Sequence, residues 1–436
     1  MDHKETIRSI TEQIRNRPRN TQVSLVRQGI SHKVPNTRST ASESYKIYLG
    51  KLDRILDIDA KNLTCTAESG VTFADLVKET LKHGLVPYTV PELKTITIGG
   101  AVSGCSVESM SYKYGGFHDS CLEYEVISAN GETITCNLKK NTELFQMLHG
   151  SFGTLGIITK ITMKLCPAKP YVRLKYLKYD TLAEFTQAVR KEYESPQFDF
   201  MDGIIHSPKH FTLCLGRFAE EAPYTNNYDG MKIYYRSTHE REEDYLPTAD
   251  YFFRYDRECH WISRNYGLEN PLIRAFFGRW FLSSTNMLKM AKKLRFIFSR
   301  LTPKVIVDVF IAISRFADFY EFYEKEFNYF PLWVVPYRIP KNKYPWINNK
   351  FMEGVTDELF MDCAIYGLRQ KSGKDYYRLM DEKLLELKGI KTLISHNSYD
   401  PKTFWRIYNR ENYNHAKSVT DPENIFRDLY QKTHGK

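Results

Sequence analysis

Two glycine-rich segments, "TIGGAVSGCSVESMSYKYGG" (97–116) and "GSFGTLGIIT" (150–159), most constrain what this chain can fold into. Glycine tolerates positive φ and lets another molecule approach the backbone amides, which together form a concave anion-binding surface. The first segment follows an alternating run, residues 95–98, that predicts a strand. Because both segments are poor in large side chains, they predict a site lined by main chain.

Hydroxyl groups are spread through the same two segments. Thr97, Ser103, Ser109, Ser111 and Thr154 could donate to phosphate oxygens, which is the chemistry that a dinucleotide pyrophosphate requires. Neither segment contains GxGxxG, so the sequence does not predict a Rossmann site. Either segment alone could be a structural turn, but two of them in one region favour a bound ligand.

The region around the glycine segments alternates short strands, turns and helices. "LEYEVISANGETITC" (122–136) predicts a hairpin, with Asn130 and Gly131 as a two-residue turn. A second region of strands, Tyr-rich loops and helices follows. Periodicity predicts strands at 23–26, 55–59 and 171–179, and helices at 1–20 and 72–84, the latter capped by Thr72 and stopped by Gly84.

Size and composition narrow the class of protein. The 436 residues exceed the limit of roughly 250–300 for one core, so we expect two domains. The net charge of +10 is dispersed, which argues against a nucleic-acid partner. The eight cysteines form no CxxC or CxxH pair, so we expect no metal site and free thiols in a reducing compartment. Without a signal-peptide pattern or a long apolar run, we expect a cytoplasmic protein.

Within residues 90–172, "PELKTITIGG", "ESMSYKYGGF" and "GTLGII" resemble the FAD-binding domain of the vanillyl-alcohol oxidase / p-cresol methylhydroxylase (PCMH-type) superfamily, and in particular its delta-24 sterol reductase branch. The likeness continues in "FPLWVVPYRIP" (330–340), "FMDCAIYG" (360–367) and "YDPKTFWRIYNRENYNHAK" (399–417). It implies the α+β fold class, with a two-subdomain PCMH-type FAD-binding domain and an α+β substrate (cap) domain. The implied domains are 1–170 for FAD, 171–398 for substrate, and a C-terminal segment, 399–436, packing back near the flavin domain.

The resemblance implies FAD as the cofactor, held by three loops. The sequence around His32 matches poorly the motifs of relatives that link flavin to histidine, so a polar loop residue is the favoured interpretation. The implied FAD-binding residues are Arg27, Gln28, Gly29, Ser31 and His32 in the first loop, Thr97, Gly99, Gly100, Ser103, Gly104, Glu108, Ser109 and Ser111 in the second, and Gly153, Thr154, Gly156 and Ile158 in the third.

The same resemblance implies reduction of an isolated C=C bond in a sterol or isoprenoid lipid, with NADPH as a transient electron donor. An unactivated alkene accepts hydride poorly, so the site needs a general acid and a dry, apolar pocket. His396 could titrate near neutral pH, and Asp362 could have a raised pKa if buried. The candidate acids, on segments that resemble the family's substrate face, are Asp362, Tyr366, His396 and Tyr399.

Two other functions stay open at this point. One is an FAD-dependent oxidase or dehydrogenase of an alcohol or sugar carbon, including a lipid-linked sugar. The other is a lipid-binding protein that keeps its flavin domain as a scaffold. Separately, residues 274–301 combine an amphipathic basic pattern with four nearby aromatics, which is typical of peripheral membrane contact. A helix packed on the substrate domain with a solvated basic face would give the same pattern.

Overall fold

The computed structural model of the chain describes residues 2–27, 44–228, 230–256, 264, 269–270, 272, 274, 304–341 and 344–434. Helices and strands are mixed throughout, as the α+β class requires. The helices are α1 His3–Arg15, α2 Phe73–Thr80, α3 Ile98–Gly104, α4 Ser111–Tyr114, α5 Thr142–Met147, α6 Leu182–Glu194, α7 Tyr234–Glu240, α8 Thr248–Phe252, α9 Phe316–Glu326, α10 Tyr376–Leu387, α11 Pro401–Ile407, α12 Arg410–Thr420 and α13 Leu429–Thr433.

The strands of the described residues belong to three sheets, and the chain passes from the first large sheet to the second between Pro167 and Tyr171. The strands are β1 Val23–Val26, β2 Tyr45–Tyr48, β3 Ile55–Asp59, β4 Thr64–Glu68, β5 Leu85–Pro87, β6 Cys121–Ile127, β7 Thr133–Asn137, β8 Ile157–Pro167, β9 Tyr171–Tyr179, β10 Phe200–Ser207, β11 His210–Ala219, β12 Glu243–Pro247, β13 Lys304–Ala312, β14 Leu332–Arg338, β15 Leu359–Arg369 and β16 Ile390–Lys391.

The first large sheet has the order β3-β4-β8-β6-β7, with β5 also pairing β8. Helix α2 lies against it because Phe73, Leu76 and Val77 fall on one face and are fully buried. Helix α3 buries Ile98 and Val102 in the same core. A small parallel sheet, β1 and β2, packs beside this unit together with α1.

The second sheet is antiparallel, in the order β12-β9-β11-β10-β14-β15-β13-β16. Its two faces have different partners, because side chains alternate along each strand. Residues such as Val309 and Cys363 pack with α6, α9 and α10 on one face. The neighbouring residues Phe310, Asp362 and Ala364 lie on the other face, and Ala364 shares a core with the first sheet. The second face therefore looks toward the glycine-rich segments.

Most predicted elements are confirmed, and two local predictions are wrong. Strands form at 23–26, 55–59 and 171–179, and α2 has Thr72 as its N-cap. Residues 95–98 do not form a strand: Thr97 caps helix α3 instead. The 122–136 hairpin forms, but five residues connect its strands, and only Gly131 of the predicted turn pair has positive φ, whereas a two-residue type I′ turn needs both.

The segment at 274–301, for which the sequence predicts membrane contact, falls almost wholly outside the described residues. No helix in the part of the chain that the structure describes has the length and apolar character needed to cross a bilayer.

Candidate functional site

The start of helix α3 packs tightly on the loop after β4. The amides of Ile98 and Gly99 donate to the carbonyls of Val71 (3.0 Å) and Ser69 (2.9 Å), and the amide of Gly100 donates to the Thr97 hydroxyl (3.2 Å). A Cβ on Gly99 would lie 2.7 Å from the Ser69 Cβ. Gly99 is thus required by packing, and the interpretation that these amides face a phosphate is corrected.

The accessible face of α3 carries almost no side chains. Gly100, Ser103 and Gly104 follow one another at helical spacing and keep solvent-accessible surface, whereas Ala101 and Val102 are buried. A Cβ on Gly104 would meet nothing closer than Ile394 Cγ2 at 3.8 Å. This small-residue face lets a flat ligand approach the helix backbone closely.

The second glycine-rich segment folds over the end of α3. The amides of Gly150 and Phe152 donate to the carbonyls of Val102 and Ser103, both at 3.2 Å. Gly153 has a φ of 70°, which favours glycine. The structure therefore brings the two glycine-rich segments into contact, as expected for two loops of one site.

Two of the predicted third-loop residues serve the fold. Gly156, at φ 127°, leaves no room for a Cβ, which would lie 2.7 Å from Val126 Cγ1. Ile158 is buried in β8 and pairs with Val126. The Thr154 hydroxyl donates to the Ser151 carbonyl (2.7 Å), so it is already used within the loop.

A cavity lies where these segments meet the second sheet and the C-terminal helices. Gly104 and Phe152 line one side, Phe310 and Trp346 another, and Tyr408 with its helical neighbours a third. The cavity has an apolar wall on the second sheet and a backbone wall at the glycines.

Arg27 supplies positive charge at the N-terminal end of α3. Its Nη1 donates to the Thr97 hydroxyl (3.1 Å), and it lies in a recess where it keeps accessible surface while desolvation lowers its pKa. A guanidinium stays protonated in proteins, so it remains a cation. Gln28, Gly29, Ser31 and His32 lie outside the described residues.

Glu108, Ser109 and Ser111 are buried and bonded to other protein groups. Glu108 Oε1 accepts from Arg254 Nη2 (2.9 Å), and its amide donates to the Ser111 hydroxyl (2.9 Å). The Ser109 hydroxyl accepts from Tyr251 (3.0 Å). Burial raises the pKa of Glu108 to about 7. The structure thus places these residues at the junction with the second sheet and not on the cavity.

Gly104 on the cavity and the small residues next to it in α3 and in the second glycine-rich segment fit FAD. The glycine face of α3 and the loop at Gly153 offer backbone without bulk, and Arg27 offers charge for a pyrophosphate. Gly100, Ser103, Gly104 and Gly153 would hold the cofactor in this arrangement.

A cluster of acids lies beside the cavity on the second sheet. Asp362 is only 4% exposed, and its Oδ1 makes no hydrogen bond with any described residue. The Tyr366 hydroxyl donates to Asp308 Oδ2 (2.6 Å). Asp362 pairs directly with Phe310, which lines the cavity. The structure therefore brings two of the four candidate acids together.

Asp362 has the pKa of a group that holds its proton. Burial raises its pKa well above the usual range, and the charges of Asp308 and Glu92 raise it further. Sequence reasoning missed Asp308 and Glu92. The signal for Asp308 was a lone acid in the apolar run "VIVDVFIA", the same pattern that drew attention to Asp362.

The other two candidate acids lie elsewhere. The Tyr399 hydroxyl donates to the Asp381 carbonyl (3.2 Å), and His396 lies against Tyr377 with ring centroids 5.5 Å apart. Burial lowers the pKa of His396, and nearby Lys391 lowers it further, so its neutral form is favoured rather than the proton donor that the sequence indicated.

Lys391 is a site residue that the sequence did not reveal. Its ammonium is buried, donates to Asp381 Oδ1 (2.7 Å) and to the His396 carbonyl, and the residue lines the cavity. Burial lowers its pKa. A lysine between Ile390 and Thr392 at the end of a two-residue strand gives no periodic signal.

The raised pKa of Asp362 predicts a pH-dependent stability. Between the usual carboxyl pKa near 4 and its raised value, the folded chain holds a proton that the unfolded chain has lost. In that pH range, this group alone therefore lowers the free energy of unfolding by about 1.4 kcal/mol for each unit by which the pH rises. Urea denaturation of the wild type and Asp362→Asn at several pH values should show the variant gaining relative stability as pH rises, and parallel curves would contradict the buried acid.

Comparisons with known proteins agree with this geometry. Residues 6–137 match the family model of an FAD binding domain. A Delta(24)-sterol reductase homolog of Caenorhabditis elegans is 25% identical over 423 residues, covering 89% of this chain and 78% of that protein. The human Delta(24)-sterol reductase is 23% identical over 409 residues, with the same coverage. Cytokinin dehydrogenase 1 of Arabidopsis thaliana is 28% identical over 184 residues, 42% of this chain and 29% of that protein.

Proposed function

We propose that this FAD-dependent oxidoreductase, which is similar to Delta(24)-sterol reductases, reduces an isolated C=C bond in a sterol or isoprenoid lipid. NADPH is the proposed electron donor. The observation that carries the proposal is the carboxyl of Asp362, which is only 4% exposed and lies beside a largely apolar cavity.

Asp362 is suited to protonating an alkene. A carboxyl with an ordinary pKa is ionised at neutral pH, whereas a raised pKa keeps its proton available for donation. Asp308 supports this state electrostatically and is itself fixed by Tyr366. The proton goes to one alkene carbon, the other carbon takes a hydride, and Asp362 regains a proton from solvent before the next turnover.

The cavity wall supplies the environment that this chemistry needs. Phe310, Trp346 and Leu393 give it apolar surface, which suits a hydrocarbon tail and excludes water. When bound, FAD supplies the hydride chemistry, and the protein supplies binding and orientation. The small residues of α3 would hold the cofactor, and the acid cluster lies at the second sheet.

Anaerobic mixing tests the proposal. NADPH should bleach the flavin absorbance of the holoprotein, and a sterol with an unsaturated side chain should then restore it, yielding a product heavier by two hydrogens. Saturated sterol of the same ring system is the control. A holoprotein that NADPH does not bleach, or that returns the unsaturated sterol unchanged, would contradict the proposal.

Dehydrogenation of an alcohol or sugar carbon is the second candidate. It is favoured by the likeness to a cytokinin dehydrogenase over 42% of the chain and by the buried Lys391 on the cavity wall, whose lowered pKa suits a base. In the same experiment, bleaching by an alcohol or sugar but not by NADPH would favour this function. Seven buried free cysteines among the described residues support a cytoplasmic setting for either reaction.

Peripheral membrane contact completes the proposal, since a lipid substrate must leave a bilayer. Met231 and Leu272 are large apolar side chains that are 52% and 71% exposed. Co-sedimentation with vesicles containing anionic lipid should retain the protein, and Met231→Ser with Leu272→Ser should weaken that binding. Equal recovery with and without vesicles would contradict membrane contact.

A further inference from the structure

Helix α12 ends in a buried turn that contacts the second glycine-rich segment. The ammonium of Lys417 donates to the Thr154 carbonyl (3.1 Å), to the Phe426 carbonyl (2.9 Å) and to Asp421 Oδ2 (2.7 Å). Residues 417–426 are called the C-terminal latch below. Its lysine uses all three of its hydrogens on described groups, and one of the three bonds goes to the glycine loop.

The latch is a rigid support for that bond. Asp421 is 1% exposed, and its carboxylate also accepts from the amides of Ile425 (2.8 Å) and Phe426 (2.9 Å). A buried lysine paired in this way cannot move without leaving an uncompensated charge behind. The position of the Lys417 ammonium is therefore fixed by the turn, and not by the loop that it contacts.

The latch also holds the strand that leads to Arg27. The amide of Val23 in β1 donates to the Ile425 carbonyl (2.8 Å), and the amide of Ala129 in the β6–β7 loop donates to the Thr420 carbonyl (2.8 Å). One short turn near the C-terminus thus connects two of the three loops that the cofactor requires.

We propose that Lys417 is a positioning residue for FAD, acting through the glycine loop at Gly153. That loop has positive φ at Gly153 and at Gly156, so it has many conformations available when it is not held. The bond to the Thr154 carbonyl selects one of them before FAD binds, which removes an entropic cost from binding. The inference rests on FAD as cofactor and is independent of the lipid substrate.

The test is the affinity of the apoprotein for FAD. Lys417→Met keeps the length of the side chain and removes its hydrogen-bond donors. It should raise the dissociation constant of FAD about tenfold, the factor that 1.4 kcal/mol represents. Quenching of flavin fluorescence measures this dissociation constant. Lys417→Arg, which keeps the charge and donors, should restore most of the affinity. Lys374→Met, which removes a lysine bonded to Glu326 on the second sheet's helices, is the matched control and should bind FAD normally.

The melting temperature of the apoprotein separates positioning from general stability. A weaker affinity in Lys417→Met that Lys417→Arg reverses supports the proposal when the melting temperatures show that both apoproteins are folded at the temperature of the titration. Wild-type affinity in Lys417→Met, or a loss that Lys417→Arg fails to reverse, overturns it. If Lys417→Met does not fold, Lys417→Gln, which keeps one amide donor, is measured in its place under the same two criteria.

Discussion

Asp362→Asn is expected to slow reduction of the lipid double bond by a factor of about 10²–10⁴, which is the usual contribution of a general acid. Reduction of the flavin by NADPH should keep its wild-type rate, because no proton from Asp362 is needed in that half-reaction. Stopped-flow absorbance measures the two half-reactions separately. Asparagine has nearly the same shape as aspartic acid and carries no charge that would have to be buried, so the fold should be retained.

Two further variants make this result specific. Asp308→Asn removes a charge that raises the pKa of Asp362, so the activity should be lost at a lower pH than in the wild type. Asp244→Asn is the matched control, because Asp244 is an equally buried carboxyl at the far edge of the same sheet, bonded to Asn226 and Tyr228. If Asp362→Asn reduces the alkene as fast as Asp244→Asn does, the acid lies elsewhere.

Gly104→Leu is expected to abolish FAD binding while leaving the fold intact. Gly104 is helical and lines the cavity, so a leucine there is compatible with the backbone, and its side chain extends into the space proposed for the cofactor. We expect the dissociation constant of FAD to rise more than about 100-fold, the effect of roughly 3 kcal/mol. Flavin absorbance after gel filtration, with circular dichroism as the measure of folding, checks both parts.

Alanine variants at two glycines of α3 distinguish packing from ligand contact. Gly104→Ala places a Cβ 3.8 Å from its nearest neighbour and should bind FAD nearly normally. Gly99→Ala places a Cβ 2.7 Å from Ser69 and should destabilise the protein by about 1–3 kcal/mol, because neither the helix nor the loop can move apart freely. A stable Gly99→Ala together with an FAD-binding Gly104→Leu would show that the roles of the two glycines are reversed.

Local patterns predicted the elements of this fold well. Helix α2 formed between its cap at Thr72 and its stop at Gly84, since both signals act within a few residues. The segment before α3 was mistaken for a strand because four alternating residues satisfy a period of two, although Thr97 is also a good N-cap. The helix forms there because the carbonyls of Ser69 and Val71, which are distant in sequence, accept hydrogen bonds from the first amides of the helix.

The site was less predictable, because its polar groups meet only in the folded chain. Glu108 was expected at the cofactor, yet it binds Arg254, 146 residues away. Asp362 was identified as a lone acid in an apolar segment, but its partner Asp308 became visible only when the register of β13 and β15 placed the two strands side by side. A single sequence carries no information on such pairings.

The different partners of the two faces of β15 have a consequence for how this protein tolerates mutation. Along residues 359–366, before the register shift of β15, substitutions at odd positions should mainly change protein abundance and substitutions at even positions should mainly change turnover. Met361, Cys363 and Ile365 belong to the helix-covered core, whereas Asp362, Ala364 and Tyr366 face the cofactor side. In a saturation library scored separately for protein level and for catalysis, the score that a substitution lowers should therefore alternate from one position to the next.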